Sequence, residues 1–218
     1  MENSCLAHNP IGEVMSYMVF TIGDGDQSKS AEILAAVSPL MKSAGASYVR
    51  GSVTLTGDLS GKGVVSSIWD NIDTYFEARA GWMTNPDVVA ALTAAGVTPI
   101  MTNVGEIIDE RGECDGDYTV AVAQTATDHS PEATQRVMDA AASLVGNGVN
   151  GIRAVRGVAA GQATGTYLGI FYVDSLDAYL TGIKGLYADP EFQAAAVANG
   201  LPSLIAPSVV RPAKYQAQ

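Results

Sequence analysis

The chain is short of histidine, cysteine, positive charge and aromatic rings, and each shortage closes off a class of function. Twelve Lys and Arg face 23 Asp and Glu, for a formal net charge of −11. A nucleic-acid backbone would be repelled, and an anionic membrane surface is disfavoured for the same reason. The two cysteines, Cys5 and Cys114, belong to no C-x-x-C pair, which predicts free thiols in a reducing compartment. No run of 18 uninterrupted apolar residues exists, so no membrane-spanning segment is expected. The start, Met1-Glu2-Asn3-Ser4-Cys5, has neither the basic region nor the apolar stretch of a signal peptide. A cytoplasmic protein without a membrane or nucleic-acid partner is the expectation. The only histidines are His8 and His129, too few for a histidine metal site. Gly23-Asp24-Gly25-Asp26 lacks the ligand count and terminal Glu of a calcium loop. Gly61-Lys62-Gly63 is not followed by a phosphate-binding helix. Neither a metal nor a nucleotide is expected.

What is abundant is apolar: 47% of residues are hydrophobic and only 16% charged, enough for a proper core. The chain also repeats itself. With an offset of 104, Ile72–Ile100 matches Leu176–Leu204 at eight of 29 positions, among them Asp73/Asp177, Tyr75/Tyr179, Gly81/Gly185, Pro86/Pro190 and Gly96/Gly200. Unrelated segments of ordinary composition would share roughly two or three. Upstream the offset becomes 103, pairing Gly45 with Gly148, Arg50 with Arg153 and Trp69 with Tyr172. This places a one-residue insertion in the second copy's strand-to-helix turn.

Both copies predict the same order of elements. A first strand, apolar on both faces, covers Val14–Phe20 and Tyr118–Ala123. A helix follows, with Ile33, Leu34, Val37, Leu40, Met41 and Ala44 at helical spacing in one copy. In the other, Val137, Met138, Ala141, Leu144 and Val145 follow Ser130-Pro131-Glu132, an N-cap, a first-turn proline and an acid. Gly45 and Gly148 terminate these helices. A hairpin turns through Gly57–Gly61 or Gly161–Gly165 into strands Val64–Trp69 and Thr166–Val173. Asp70-x-x-Asp73 and Asp174-x-x-Asp177 supply an N-cap and a first-turn acid for the next helix. A short helix opens at Asn85-Pro86 or Asp189-Pro190, and a last strand covers Ile100–Val104 or Leu204–Val210. The order β-α-β-β-α-β is the split ferredoxin-like unit, α+β in class. Its four-stranded antiparallel sheet carries helices on one face and leaves the other bare. Two such sheets in one chain are expected to cover each other as an intrachain barrel. The predicted organisation is a leader over 1–12, repeat 1 over 13–110, a linker over 111–116, repeat 2 over 117–213 and a tail over 214–218.

The tail of each unit, Asp174-Ser175-Leu176-Asp177-Ala178-Tyr179 followed by Leu186-Tyr187-Ala188-Asp189-Pro190-Glu191-Phe192-Gln193, resembles the dimeric α/β-barrel superfamily. That superfamily includes antibiotic-biosynthesis monooxygenases, stress-responsive barrel proteins, haem-degrading monooxygenases and NIPSNAP-like proteins. Trp82-Met83-Thr84-Asn85-Pro86-Asp87 carries the same pattern in the first copy. The resemblance covers nearly the whole chain after about residue 12 and is a matter of fold; function drawn from it is analogy. Haem-binding members carry a mid-helix His ligand. His8 in the leader and His129 in a turn match no such position, so no cofactor is expected.

The resemblance implies a ligand pocket between sheet and helices, built from Tyr, Trp, Asn and Arg. Tyr17 and Trp69 lie on strands expected to be neighbours, with Arg50 on the strand beside them and Tyr75 and Trp82 on the following helix. Copy two offers Tyr118, Arg153, Tyr167, Tyr172, Tyr179 and Tyr187. Core packing accounts for any one of these aromatics equally. Arg50 and Arg153 occupy equivalent strand positions, and a covered arginine needs a carboxylate or a bound anion. His129, next to Asp128, is a general-base candidate, or simply an exposed turn residue. Three functional expectations stand together. One is a cofactor-free, monooxygenase-like enzyme acting on a small apolar or aromatic compound. Another is a non-catalytic small-molecule-binding or stress-type barrel protein, with room for a homodimer. The last is a degenerate pair in which one copy keeps the pocket, since Trp82 is replaced by Leu186 and Met83 by Tyr187.

Overall fold

A computed structural model describes residues 15–124, 128, 130–198 and 209–212. Cys5, His8, His129 and most of the predicted strand Leu204–Val210 lie outside the described residues. The chain divides into two compact units. Among described residues the N-terminal unit comprises 15–106, 157–164 and 209–212, and the C-terminal unit 107–124, 128, 130–156 and 165–198.

The N-terminal unit runs β1 (Tyr17–Asp24), α1 (Ser30–Ser43), β2 (Tyr48–Val53), β3 (Gly63–Trp69), α2 (Ile72–Trp82), α3 (Pro86–Ala94) and the first part of β4 (Thr98–Gly112). Its strands pair antiparallel in the order β2-β3-β1-β4. That is the split β-α-β-β-α-β order, with its second helix in two pieces. Leu34, Val37, Ser38 and Met41 are the buried residues of α1; their helical spacing gives one inward stripe. The core joins Val19, Trp69 and Val104 from the sheet to Val37, Met41, Tyr75, Trp82 and Val88 from the helices.

The C-terminal unit runs β5 (Tyr118–Gln124), α4 (Pro131–Ala141), β6 (Gly151–Ala159), β7 (Tyr167–Val173), α5 (Leu176–Ala188) and α6 (Pro190–Ala198); β8 (Val209–Pro212), the last strand of the chain, belongs to the N-terminal unit. In the C-terminal unit β7 pairs antiparallel with both β6 and β5. Ser130 caps α4 through the Ala133 amide, with Pro131 and Glu132 in the first turn as expected. Gly148 has a positive φ of 93°, and an added Cβ would lie 2.5 Å from the Ala178 carbonyl oxygen. Glycine is needed there both for conformation and for room.

Five expectations change. The second copy's helix stops at Ala141 and is followed by one 3-10 turn over Ala142–Leu144, so Val145 and Gly148 lie beyond it and Gly148 does not terminate it. Strand β1 lies three residues later than the apolar run suggests, because it continues through Thr21–Asp24 opposite Gly63–Val65 and Thr98–Thr102. The caps after β3 and β7 are Asn71 and Ser175, whose side chains accept from the amides of Asp73, Thr74 and Ala178. Asp70 makes no cap, and Asp174 instead accepts from Asn150 Nδ2 and the Asp117 amide. Strand β4 is 15 residues long, far beyond Ile100–Val104. Its acids look like loop, but Asp109 and Glu110 are held by arginines. Finally, Val53 pairs with Gly63 and Arg156 with Tyr167, while Tyr17 pairs with Trp69 and Tyr118 with Val173. The extra residue of the second unit therefore sits in the hairpin and not in the strand-to-helix turn. Trp69 corresponds to Val173, and Tyr172 is one residue out of phase with it.

Candidate functional site

That one-residue phase difference decides which candidates can share a pocket, because alternate residues of a strand point to opposite faces. In the N-terminal unit, Tyr17 and Trp69 stand directly opposite each other and face the helices. Arg50 pairs with Ser66, one step off that row, and lies on the other face of the sheet. In the C-terminal unit Tyr118 and Tyr167 lie in the helix-facing rows, whereas Arg153 and Tyr172 lie on the reverse face. The expected grouping of Trp69, Tyr17 and Arg50 around one cavity is therefore split across the sheet.

Beneath the helices of the N-terminal unit is a cavity of about 150 Å³. Its walls come from α1 (Leu34, Val37, Met41), α3 (Val88, Leu92) and the ends of β1 and β3. Three side chains of α2 reach it, Tyr75, Arg79 and Trp82. Their spacing of four and three residues places them on one helix face. Tyr75 is 1% exposed, and its hydroxyl lies 3.2 Å from Thr21 Oγ1, which also lines the cavity. Trp82 stacks on Trp69 with ring centroids 6.0 Å apart, and Tyr75 meets the Trp69 ring edge-on at 5.5 Å. Trp69 donates its indole N–H to Ser67 Oγ at 2.8 Å. Trp69 and Tyr17 thus support the wall, and Tyr75 and Trp82 form it. At the mouth, Asp24 accepts from Lys62 Nζ at 2.5 Å and from the Gly25 amide, and Asp26 accepts from the amide and hydroxyl of Ser28. These bonds hold both carboxyls below the usual carboxylate range, Lys62 being the main cause for Asp24 and the Ser28 hydroxyl for Asp26.

The C-terminal unit has a smaller cavity, about 90 Å³, between its own sheet and helices. Tyr167 and Tyr187 line it with Phe171, Ile183, Leu186 and Met138. Burial raises the Tyr187 phenol above its ordinary pKa. Counting along matched strands and helices, Thr21 becomes Val122, Arg79 becomes Ile183 and Trp82 becomes Leu186. Tyr75 becomes Tyr179, which is buried against Phe171. The second cavity lacks the cation, the hydroxyl partner and the indole.

On the reverse face of the C-terminal unit, Arg153 donates from Nε to Glu110 and from Nη1 to the Tyr172 hydroxyl at 2.5 Å. Arg111 donates to Asp109 and to Asp139 at 3.0 Å. These acids answer the requirement that a covered arginine be paired, for Arg153 at least, from within the chain. In the N-terminal unit, Arg50 donates to the Tyr48 hydroxyl at 3.5 Å. Cys114 donates its S–H to the Ile152 carbonyl at 3.6 Å, and burial pushes the thiol up to about 12. Cys114 is thus a thiol and not a thiolate at pH 8. Treating the folded protein with iodoacetamide at pH 8 should leave it unmodified by peptide mapping, and the same treatment in urea should alkylate it.

Arg79 and Thr21 are absent from the sequence-based candidates, whereas Tyr187, named among them, lines the smaller cavity. The signal for Arg79 was present, because Tyr75-x-x-x-Arg79-x-x-Trp82 is a helical stripe. Among the described residues that line the two cavities there is no histidine or cysteine to ligate a haem iron. Among the described residues no three His, Cys, Asp or Glu side chains gather as a metal ion would require, and no helix is long and apolar enough to cross a membrane.

No family model matches the chain, and no curated protein matches it. Solved structures do. A chlorite dismutase candidate superposes with a TM-score of 0.61 at 9% identity, covering 91% of this chain and 94% of its own. An anthrone oxidase-like protein gives 0.59 at 15% identity, with 92% of each chain covered. A monooxygenase candidate from Lactobacillus acidophilus gives 0.58 at 10% identity, covering 94% of this chain and 100% of its own. With the β-α-β-β-α-β units already described, these likenesses make the fold that of the dimeric α/β-barrel proteins of chlorite dismutase and monooxygenase type, ferredoxin-like and α+β.

Proposed function

We propose that the protein is a cofactor-free, monooxygenase-like enzyme whose site is the helix–sheet cavity of the N-terminal unit, and that its substrate is a small apolar or aromatic ring compound. The observation that carries the reading is the composition of that cavity: an apolar enclosure into which one helix sends a phenol, a guanidinium and an indole, the phenol oriented by Thr21. An apolar cavity of about 150 Å³ is large enough to take up benzene, and this one, open at its mouth, has that volume, so one ring fits. The two units are read as copies of one ancestral unit, of which the N-terminal one keeps the site. Among the neighbours in fold, the anthrone oxidase-like and monooxygenase-type proteins supply the reaction class by analogy. In the simplest such reaction a ring CH₂ and dioxygen become C=O and water, the substrate supplying all four electrons. The cavity would hold and orient the ring and exclude water around it.

Both tryptophans of the chain, Trp69 and Trp82, belong to this site, so intrinsic fluorescence reads it directly. Titration with toluene should give a saturable change in tryptophan emission, and Val37→Phe, which fills the cavity, should abolish it. Oxygen uptake with simple one-ring phenols as test compounds then separates the two surviving functions. Uptake that Val37→Phe removes supports an oxygenase; binding without uptake supports a binding protein, a reading favoured by the engagement of Asp24 and Asp26 in other bonds. Absence of any saturable change would sink the site itself.

A further inference from the structure

We propose that Arg79 makes this cavity a receptor for a one-ring carboxylate, with the ring against Trp82 and the carboxylate on the guanidinium. The inference rests on the cavity being the binding site and names its ligand class. The other arginines whose side chains are described all have partners in the fold. Arg50 has the Tyr48 hydroxyl, Arg111 has Asp109 and Asp139, Arg136 has Asp128, and Arg153 has Glu110 and Tyr172. Arg156 is engaged as well. Arg79 is the exception. It is half-buried, it lines the cavity, and no described group receives a bond from its guanidinium.

Its own helix offers no acid within reach. The positions three and four residues away are Phe76, Trp82, Tyr75 and Met83, and acids at other spacings do not face it. The acids at the mouth are committed elsewhere, Asp24 to Lys62 and Asp26 to Ser28. A guanidinium drawn out of water beside an apolar wall is costly until an acceptor meets it. Its planar fork matches a carboxylate in two parallel hydrogen bonds. The neighbouring groups add the remainder of a recognition set: the bonded Tyr75–Thr21 hydroxyl pair, which keeps one O–H to donate, and the Trp82 ring as an apolar surface. The cavity volume admits one ring. At the matching places in the C-terminal unit stand Ile183, Val122 and Leu186, so that cavity offers no such pairing.

The test is a fluorescence titration of the full chain with benzoate and toluene. Benzoate should bind at least tenfold more tightly than toluene at pH 7, and the preference should collapse as pH falls through the acid's own titration. Arg79→Met should cut the ratio of benzoate to toluene affinity at least tenfold, and Arg79→Lys should retain part of it. Unchanged near-ultraviolet circular dichroism would show that the variants are folded, as expected for a side chain with no partner in the fold. Equal affinity for the two probes, or a ratio indifferent to Arg79→Met, overturns the carboxylate assignment while leaving the cavity as a neutral-ring site. Failure of every ring compound to bind overturns the assignment together with the site.

Discussion

Trp69→Ala should cost about 3–5 kcal/mol of folding stability, the range for truncating a large buried aromatic to alanine. Trp69 is 1% exposed and occupies the centre of the N-terminal core, stacked on Trp82, edge-on to Tyr75 and opposite Tyr17 on the adjacent strand. Removing the indole takes away transfer energy and leaves a void next to one the fold already contains. Because a strand (Tyr17) and a helix (Tyr75 and Trp82) fix the surrounding rings, the void has little means of collapsing. Trp69→Phe keeps a ring in place and forfeits the Nε1 bond to Ser67, a loss of about 1 kcal/mol together with a smaller void. Urea unfolding followed by far-ultraviolet circular dichroism measures both variants. A midpoint for Trp69→Ala within experimental error of the parent would contradict the packing described.

Glu110→Ala should cost about 3 kcal/mol, the low end of the cost of orphaning one member of a buried pair. The Arg153 side chain is 5% exposed and Glu110 43% exposed. The damage arises less from the lost attraction than from a guanidinium left without the carboxylate bonded to its Nε. The exposed side of Glu110 admits some water in its place, which is why the low end applies. Replacing both residues with apolar ones, Glu110→Leu with Arg153→Met, should recover much of the loss, since the desolvation cost goes with the charge. A double-mutant cycle in urea isolates the coupling. Additive losses would mean that the two side chains do not act as a pair.

Periodicity and punctuation made most of the fold readable from the chain. The helices announce themselves through Asn85-Pro86, Ser130-Pro131 and Asp189-Pro190, each of which caps where expected. These signals are local, so one sequence suffices. Phase was harder. Whether the extra residue lay before or after the β7 strand decided whether Tyr172 stood for Trp69, and a strand rich in aromatics on both faces does not reveal its inward side. Long-range pairing was unreadable for the same reason. Asp109, Glu110 and Arg111 suggest a loop until Arg153 and Asp139, distant in sequence, are brought against them. Of the candidate pocket residues, Tyr75 and Trp82 line the larger cavity, and Tyr17 and Trp69 back it. Tyr167 lines the smaller cavity, while Arg50, Arg153 and Tyr172 lie on the reverse faces, and His129 lies outside the described residues. Arg79 escaped notice because a lone arginine on a helix is ordinarily a solvated one, and what distinguishes it is the absence of any neighbour to pair with.

The hairpin between β2 and β3 differs in length by one residue from its counterpart between β6 and β7, yet the ladders on either side keep the same pairing. The added length is absorbed entirely within the turn. Residues 55–58 there are exposed, and lengthening a surface turn adds little closure entropy. The tip of the β2–β3 hairpin is therefore a natural splice point, where new termini or a grafted peptide could be placed without shifting the strand ladders that frame the cavity.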